Sequence, residues 1–121
     1  MPFTALVAMP HVASVPRSIA FYGQLGFTVE NTFTPPGVSE PTWAWLKSNG
    51  AHLMVSRGTL SVVADEQGVT FYLYCEDVPA MKLMLERDGV AAGPITHPFY
   101  APRGEFRIVD PDGYALMITH T

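Results

Sequence analysis

The segments NGAHLMVS (residues 49–56) and DGYALMIT (residues 112–119) read as two versions of one motif. Met54 of the first segment corresponds to Met117 of the second, and a glycine and a leucine recur at the same distance of 63 residues. A fixed separation that recurs at several positions indicates an internal repeat. The same offset is therefore expected to relate the rest of the two halves of the chain.

Two predicted helices follow this offset without a gap. They lie in SVPRSIAFYGQLGF (residues 14–27) and DVPAMKLMLERDGV (residues 77–90). Ser14 and Asp77 are good N-caps, and the proline two residues later falls in the first helical turn, where its missing N–H does no harm. Each segment also has a glycine where its helix should end, because glycine tolerates the left-handed conformation: Gly26 and Gly89.

Each copy then predicts the same order of elements, namely a strand, a helix and three further strands. The first strands are expected at residues 3–9 and 69–75. The later strands are expected at residues 28–34, 42–47, 51–56, 91–96, 105–109 and 114–119. The last two strands of each copy are joined by SNG or DPDG, which are strong hairpin signals. The sequence therefore predicts an α+β fold, a single domain (residues 1–121) made of tandem βαβββ modules at 1–58 and 64–121.

The composition limits the function classes. The chain has 121 residues, of which 48% are hydrophobic and 15% charged, so it can form a packed core. Its net charge of −4 offers no basic footprint for nucleic acid. No signal-peptide pattern or membrane-length apolar run is present, so a cytoplasmic protein without membrane contact is expected. One cysteine excludes an internal disulfide, and Cys75 is expected to be a buried, inert thiol.

Alternation along the strands divides each predicted sheet into two faces. One face is wholly apolar and is expected under the helices: Leu6, Ala8, Leu53, Val55, Phe71, Leu73, Cys75, Leu116 and Ile118. The other face is mixed: Ala5, Val7, Met9, His52, Met54, Ser56, Thr70, Tyr72, Tyr74, Ala115, Met117 and Thr119. Buried polar groups cost free energy unless they are paired, so the mixed face is more typical of a lined pocket than of a plain core. A core between sheets or between subunits, with a few paired polar groups, is the alternative.

The segments PRSIAFYGQLGF (residues 16–27) and FRIVDPDGYALMI (residues 106–118) resemble the vicinal oxygen chelate superfamily. This group includes glyoxalase I, extradiol dioxygenases, and fosfomycin- and bleomycin-resistance proteins. The resemblance covers nearly the whole chain in both repeats. It implies a cup of curved mixed sheet with the helices on the outer face, and a small-molecule ligand inside the cup. It also implies a homodimer, in which each cup can combine modules of both chains.

The resemblance also bears on metal binding. Metal-dependent members carry ligands on the first and last strands of a module, at positions that correspond here to Val7, Met54, Thr70 and Met117. Valine has no donor atom, a threonine hydroxyl is a weak ligand, and thioethers favour soft metals. The resemblance therefore implies no metal and no other cofactor, and is closest to the bleomycin-resistance branch, which binds its ligand without chemistry.

The predicted function is metal-free binding of a small apolar or aromatic molecule, such as an antibiotic or a metabolite. The expected ligand-binding side chains are Val7, Trp43, Trp45, His52, Met54, Thr70, Tyr72, Tyr74, Phe99, Arg103, Glu105 and Met117. The tryptophans are expected to form an aromatic wall, matched by Phe106 and Ile108 in the second copy, unless they belong to the core. The proline-rich loops at residues 32–42 and 96–105 are expected to rim the site, with Phe99, Tyr100 and Arg103 closing over the ligand.

Two other functions remain open at this point. One is a lyase, isomerase or dioxygenase, using acid–base chemistry by Tyr72, Tyr74 and Glu105 or a displaced metal site formed by His11, His52 and Glu105. The other is a dimer scaffold whose cup has lost its ligand. Glu105 itself has two interpretations: a solvated ion pair with Arg107 on an edge strand, or a carboxylate that orients a ligand amine or acts as a base.

Overall fold

The computed structural model describes residues 2–121, and each half of the chain has one α-helix and three strands. The first half contains α1 (Val15–Gln24), β1 (Thr28–Phe33), β2 (Trp43–Ser48) and β3 (Ala51–Ser56). A short 3₁₀-helix (Ala64–Glu66) precedes the second half, which contains β4 (Thr70–Cys75), α2 (Val78–Arg87), β5 (Phe106–Val109) and β6 (Ala115–His120). The predicted α+β class is confirmed. Within residues 2–121, neither helix has the length or apolar character needed to cross a membrane.

The chain divides into two compact units, with the boundary between Val62 and Val63. In the first unit β1, β2 and β3 form an antiparallel sheet in that order. The segment before α1 adds parallel bridges to β3, between Ala8 and Leu53 and between His11 and Ser56.

The second unit repeats this pairing scheme. Its sheet has the order β4-β6-β5, with β4 parallel and β5 antiparallel to the central β6. An antiparallel bridge between Thr96 and Glu105 lies beside β5. In both units the extended segment before the helix pairs with the last strand of the unit. The strand before the last pairs with the last strand and with the extended segment that follows the helix. The single domain with repeat boundaries at 58 and 64 stays a prediction.

Both helices begin and end where the sequence predicts. The Ser14 hydroxyl accepts a hydrogen bond from the Arg17 backbone N–H at 3.2 Å, and the Asp77 carboxylate accepts one from the Ala80 N–H at 2.9 Å. These caps satisfy donors that a helix leaves unpaired at its first turn. Two glycines adopt left-handed backbone angles just after the helices, Gly26 with φ 94° and Gly89 with φ 87°.

Two predicted strands are much shorter than expected. Residues 3–9 form no continuous strand: Met54 donates to the Ala8 carbonyl and Ser56 to the Pro10 carbonyl, and Pro10, at the end of this segment, has no N–H to return. Leu6, expected under the helix, is 97% exposed. The predicted strand at 91–96 is also wrong. It keeps only the Thr96 bridge and a bond from the Gly93 N–H to the Arg107 carbonyl, because Pro94 interrupts it.

Each unit buries one face of its sheet. The buried side chains of the two sheets, none more than 8% exposed, are Ala44, Leu46, Leu53 and Val55 in the first unit and Phe106, Ile108, Leu116 and Ile118 in the second. Helix α1 contributes Val15 and Tyr22 to the first core, and α2 contributes Val78 and Leu85 to the second. The apolar helix-side face predicted for the last strands is therefore confirmed.

The expected match between Trp43 and Phe106 is wrong, because the third strands of the two units differ in register by one residue. In the first unit Trp45 lies opposite Met54, whereas in the second unit Arg107 lies opposite Met117. A shift of one residue moves every side chain to the other face of a strand. Phe106 is consequently in the core, while the tryptophans lie on the opposite face of their sheet.

Candidate functional site

The first unit presents an open face, defined as the sheet face opposite its buried side chains. It consists of Trp43, Trp45 and Lys47 on β2 and His52, Met54 and Ser56 on β3. The strand register sets Trp45 directly opposite Met54, and Trp43 opposite Ser56. Both tryptophans and Met54 are half-buried. Aromatic and thioether groups thus form one continuous, accessible surface, as the alternation predicts.

A polar contact orients His52 on this face. The Trp45 indole N–H donates to His52 Nδ1 at 3.0 Å, and the two rings lie edge to face with centroids 5.7 Å apart. Because Nδ1 accepts this bond, the proton of the neutral imidazole lies on Nε2. His52 is exposed, so it offers an N–H donor to anything that lies on the tryptophan surface. Val7, by contrast, lies on the irregular first segment and is half-buried.

The second unit has an open face of different character. It carries Thr70, Tyr72 and Tyr74 from β4, Ala115, Met117 and Thr119 from β6, and Arg107 from β5. Tyr72 lies opposite Met117, and their row continues to Arg107. The rings of Tyr72 and Tyr74 are 6.4 Å apart and tilted by 32°, and both are largely exposed. This face therefore offers phenol groups where the first offers indoles.

Glu105 is the buried acid next to this second open face. It precedes β5 and is only 4% exposed. Its Oε2 accepts a hydrogen bond from the Tyr100 hydroxyl at 3.1 Å, whereas Oε1 is buried and has no partner in residues 2–121. The solvated ion pair with Arg107 is wrong: within the described chain Arg107 makes no ion pair with Glu105 and is exposed. Tyr100, not Arg107, is the side chain that donates a hydrogen bond to this carboxylate.

Tyr100, predicted from the sequence only as part of the loop at the rim, contacts both Glu105 and Tyr72. The hydrogen bond to Glu105 raises the pKa of Tyr100 to about 12, with smaller contributions from burial and from a hydrogen bond with Tyr72. A carboxylate acceptor stabilises the protonated phenol, which is why the pKa rises. The Tyr100–Glu105 bond is thus present below the ordinary tyrosine pKa and is lost as the pH rises through about 12. In the sequence, the one sign of this contact is that Tyr100 and Glu105 are five residues apart across a proline-containing turn.

Phe99 and Arg103, the other residues predicted to rim the site, differ in their contacts. Phe99 is 97% exposed and lies edge to face with Tyr100, with ring centroids 5.4 Å apart. The Arg103 guanidinium donates to the Thr121 carbonyl, and its backbone N–H donates to His120 Nε2 at 3.1 Å. Arg103 is therefore tied to the end of the chain, while Phe99 is accessible to a ligand.

With this geometry in place, the family can be identified. The sequence model of the "Glyoxalase/Bleomycin resistance protein/Dioxygenase superfamily" matches residues 9–118. The chain belongs to this superfamily. The predicted resemblance is confirmed, and it extends over both units.

Solved structures show the same fold. The chain is similar to a bleomycin resistance determinant encoded on transposon Tn5, with a TM-score of 0.77, 16% identity and coverage of 98% of both chains. It is similar to a bleomycin-binding protein complexed with bleomycin, with a TM-score of 0.77, 16% identity and coverage of 98% and 99%. A bleomycin-binding protein from Streptomyces verticillus complexed with copper(II)-bleomycin gives a TM-score of 0.75 and 21% identity over 100% and 98%. No curated protein matches the sequence significantly.

The metal positions of this superfamily do not suit a metal in this chain. Met54 and Met117 are half-buried on the two open faces and offer only thioether sulfur, and Thr70 is exposed opposite Ala115. Such donors do not hold hard or borderline divalent ions. Within residues 2–121, no three His, Cys, Asp or Glu side chains are grouped closely enough to hold a metal ion. The displaced site of His11, His52 and Glu105 would need residues of both units and stays a prediction.

Cys75 does not add a nucleophile. It is half-buried, less than expected, and burial raises the pKa of its thiol. Since the thiolate is the reactive form of cysteine, the raised pKa leaves this thiol unreactive near neutral pH.

Proposed function

We propose that this protein binds a small apolar or aromatic molecule on its open faces without a catalytic metal. One observation carries this proposal: the half-buried tryptophans, Met54 and the His52 N–H donor share one accessible face of the first unit. Large apolar groups with a few directed polar groups are typical of ligand sites. Two proteins of the same fold form complexes with bleomycin or copper(II)-bleomycin, which supports ligand binding by this fold.

The chemistry of the surface indicates how a ligand would be held. A flat ring can stack on an indole, and stacking of this kind contributes on the order of 1–3 kcal/mol per aromatic ring, by analogy with nucleic-acid bases on protein side chains. Met54 has a flexible thioether that adapts to ligands of varied shape. The Nε2–H of His52 then supplies direction, because it can donate to a carbonyl or ring nitrogen of the ligand.

Binding should be visible in the fluorescence of Trp43 and Trp45. We expect bleomycin or a naphthalene derivative to quench this fluorescence saturably, and we expect Trp45→Phe to remove much of the signal. Met54→Glu should weaken binding by about tenfold or more, because it places an unpaired carboxylate on the apolar surface. Exhaustive treatment with a chelator should leave the affinity unchanged, since no metal is required.

Met84→Glu is the matched control for this experiment. Met84 lies on α2, which is not part of the first open face, and is 43% exposed, so the variant adds the same charge without altering the strands that carry the tryptophans. Equal loss of affinity in the two variants would show that Met54 does not line the site. Loss of binding after chelation would contradict the metal-free proposal.

A second function is favoured by one specific contact, the hydrogen-bonded pair of Tyr100 and Glu105 with Tyr72 beside it. A phenol donor and a buried carboxylate could serve as acid and base of a metal-free lyase or isomerase. Chemical conversion of a bound ligand, lost in Glu105→Gln, would support this alternative. Recovery of every bound ligand unchanged, judged by mass spectrometry, would reject it.

We also propose a homodimer. Several large apolar side chains of the described chain are exposed to solvent. Among them, Phe3 is 98%, Leu6 97% and Leu60 78% exposed. Exposed apolar groups of this size are commonly covered by a second subunit. Sedimentation at micromolar concentration should give twice the chain mass of 13.2 kDa, and a species at the single-chain mass would contradict the proposal.

A further inference from the structure

Glu105 of the second unit has a buried side-chain oxygen without a hydrogen-bond partner in residues 2–121. Glu105 Oε1 is buried and accepts no hydrogen bond, although Glu105 Oε2 is bonded by Tyr100. A buried acceptor without a donor costs about 1–3 kcal/mol, and more when the group is charged. A proton donor that reaches Oε1 would recover this free energy. The unsatisfied atom therefore marks a position prepared for a hydrogen-bond donor that the chain itself does not provide.

The surroundings favour a donor that carries positive charge. Tyr100 donates to Glu105, Tyr72 contacts Tyr100, and Tyr74 lies beside Tyr72. These three phenol rings are each at least 44% exposed. Aromatic faces attract ammonium and guanidinium groups, and a carboxylate forms its strongest hydrogen bonds with charged donors. Arg107 is the cationic residue nearest to Glu105 in the sequence, but within residues 2–121 no donor reaches Glu105 Oε1.

We propose that Glu105 and the Tyr72–Tyr74–Tyr100 cluster form a subsite for an N–H-bearing cation, such as the primary ammonium of an aromatic ligand. The ligand nitrogen donates to Glu105 Oε1 and lies against the phenol rings. This subsite rests on the proposed function, because it assigns a chemical class to the bound molecule. It adds a charged specificity element to a surface that is otherwise apolar.

Tyr100 controls access to the carboxylate. Its side chain is 57% exposed and lies in a turn, closed by a hydrogen bond from the Ala101 N–H to the Pro98 carbonyl. The ring is held by its hydrogen bond to Glu105 and by the edge-to-face contact with Phe99, which is itself 97% exposed, so binding at this subsite requires Tyr100 to rotate with little loss of buried contact. The entering ammonium group then replaces or joins the phenol as a donor to the same carboxylate.

Three matched probes separate the contributions of charge and hydrogen bonding: naphthylmethylammonium, naphthylmethanol and naphthylmethyl-trimethylammonium. Their affinities for the full chain can be compared by isothermal titration calorimetry at neutral pH and constant ionic strength. We expect the ammonium probe to bind about tenfold more tightly than the alcohol, because it can form a charge-assisted hydrogen bond with Glu105. The trimethylammonium probe has the charge but no N–H, so it should bind less tightly than the ammonium probe.

Glu105→Gln should abolish the preference for the ammonium probe over the alcohol. Glu86→Gln is the control, since it removes the same charge from α2, where Glu86 pairs with Lys82 at 3.1 Å. Tyr100→Phe should keep the preference, because it leaves the carboxylate in place. Ultraviolet titration of Glu105→Gln should show the pKa of Tyr100 lowered from about 12 towards its ordinary value, and circular dichroism verifies separately that the variant is folded.

The outcomes separate this subsite from the proposed function. Equal binding of all three probes overturns the subsite and leaves aromatic binding intact. Equal binding of the two cations, both tighter than the alcohol, overturns the hydrogen bond to Glu105, because attraction to the rings then explains the preference. If none of the three probes binds, the neutral alcohol included, the aromatic binding on which the subsite rests is overturned. An ammonium preference that survives Glu105→Gln also overturns the assignment.

Discussion

Phe106→Ala should lower the free energy of unfolding by about 3–5 kcal/mol, the largest effect expected of a single truncation in this chain. Phe106 is 1% exposed and lies opposite Ile118 in the core of the second unit. Its removal would lose the transfer free energy of the ring and leave a cavity, because neighbouring side chains relax only in part. Urea unfolding followed by circular dichroism measures this change.

Phe99→Ala is the control for Phe106→Ala. It removes the same ring seven positions earlier, but Phe99 is 97% exposed, so the change in stability should stay within about 0.5 kcal/mol. The pair also tests the register of β5. If Phe106 were on the open face, as the uninterrupted offset from Trp43 predicts, its truncation would chiefly alter ligand binding. Similar stability of the two variants would show that Phe106 is not a core residue.

Gly113→Ala should destabilise the protein by several kcal/mol for two separate reasons. Gly113 has a φ of 88°, a left-handed conformation that costs an L-residue about 1–2 kcal/mol. A Cβ at this position would also meet the backbone of Ala64, with the Ala64 Cα only 2.6 Å away. Backbone cannot rotate aside like a side chain, so overpacking should add about 1–3 kcal/mol.

Gly89→Ala separates these two contributions. Gly89 has nearly the same φ, 87°, but an added Cβ would have nothing within 4 Å. This variant should therefore show only the backbone cost of about 1–2 kcal/mol. Thermal unfolding of the two variants, compared with the unmodified chain, gives the difference. If Gly89→Ala and Gly113→Ala cost the same, the close approach of the 3₁₀-helix to Gly113 is incorrect.

The consequences for function differ between the two open faces. The first offers indoles, a thioether and the His52 donor, all within a hairpin closed by Asn49 and Gly50. The second offers phenols and a carboxylate with one unpaired oxygen. Affinity for flat ligands at the first face should depend mainly on its indoles and thioether, and discrimination by charge at the second face mainly on Glu105.

Local sequence determined the elements whose signals are contained within a few residues. Ser14 and Asp77 start their helices because a short polar side chain can reach the backbone N–H three residues ahead. Gly26 and Gly89 follow them because glycine adopts positive φ without a Cβ clash. The alternation of Leu53 and Met54 between faces follows from the pleat of a strand.

Tertiary structure decided the features that depend on a partner distant in sequence. A strand needs a neighbour that can exchange hydrogen bonds, and Pro94 broke that exchange within residues 91–96, where residue type alone predicted a strand. A repeat offset does not show the one-residue difference in register between β2 and β5, which puts Phe106 in the core and Trp43 on the open face. The bond from Tyr100 to Glu105 spans only five residues, but it depends on the conformation of the loop between them, which residue type alone does not specify.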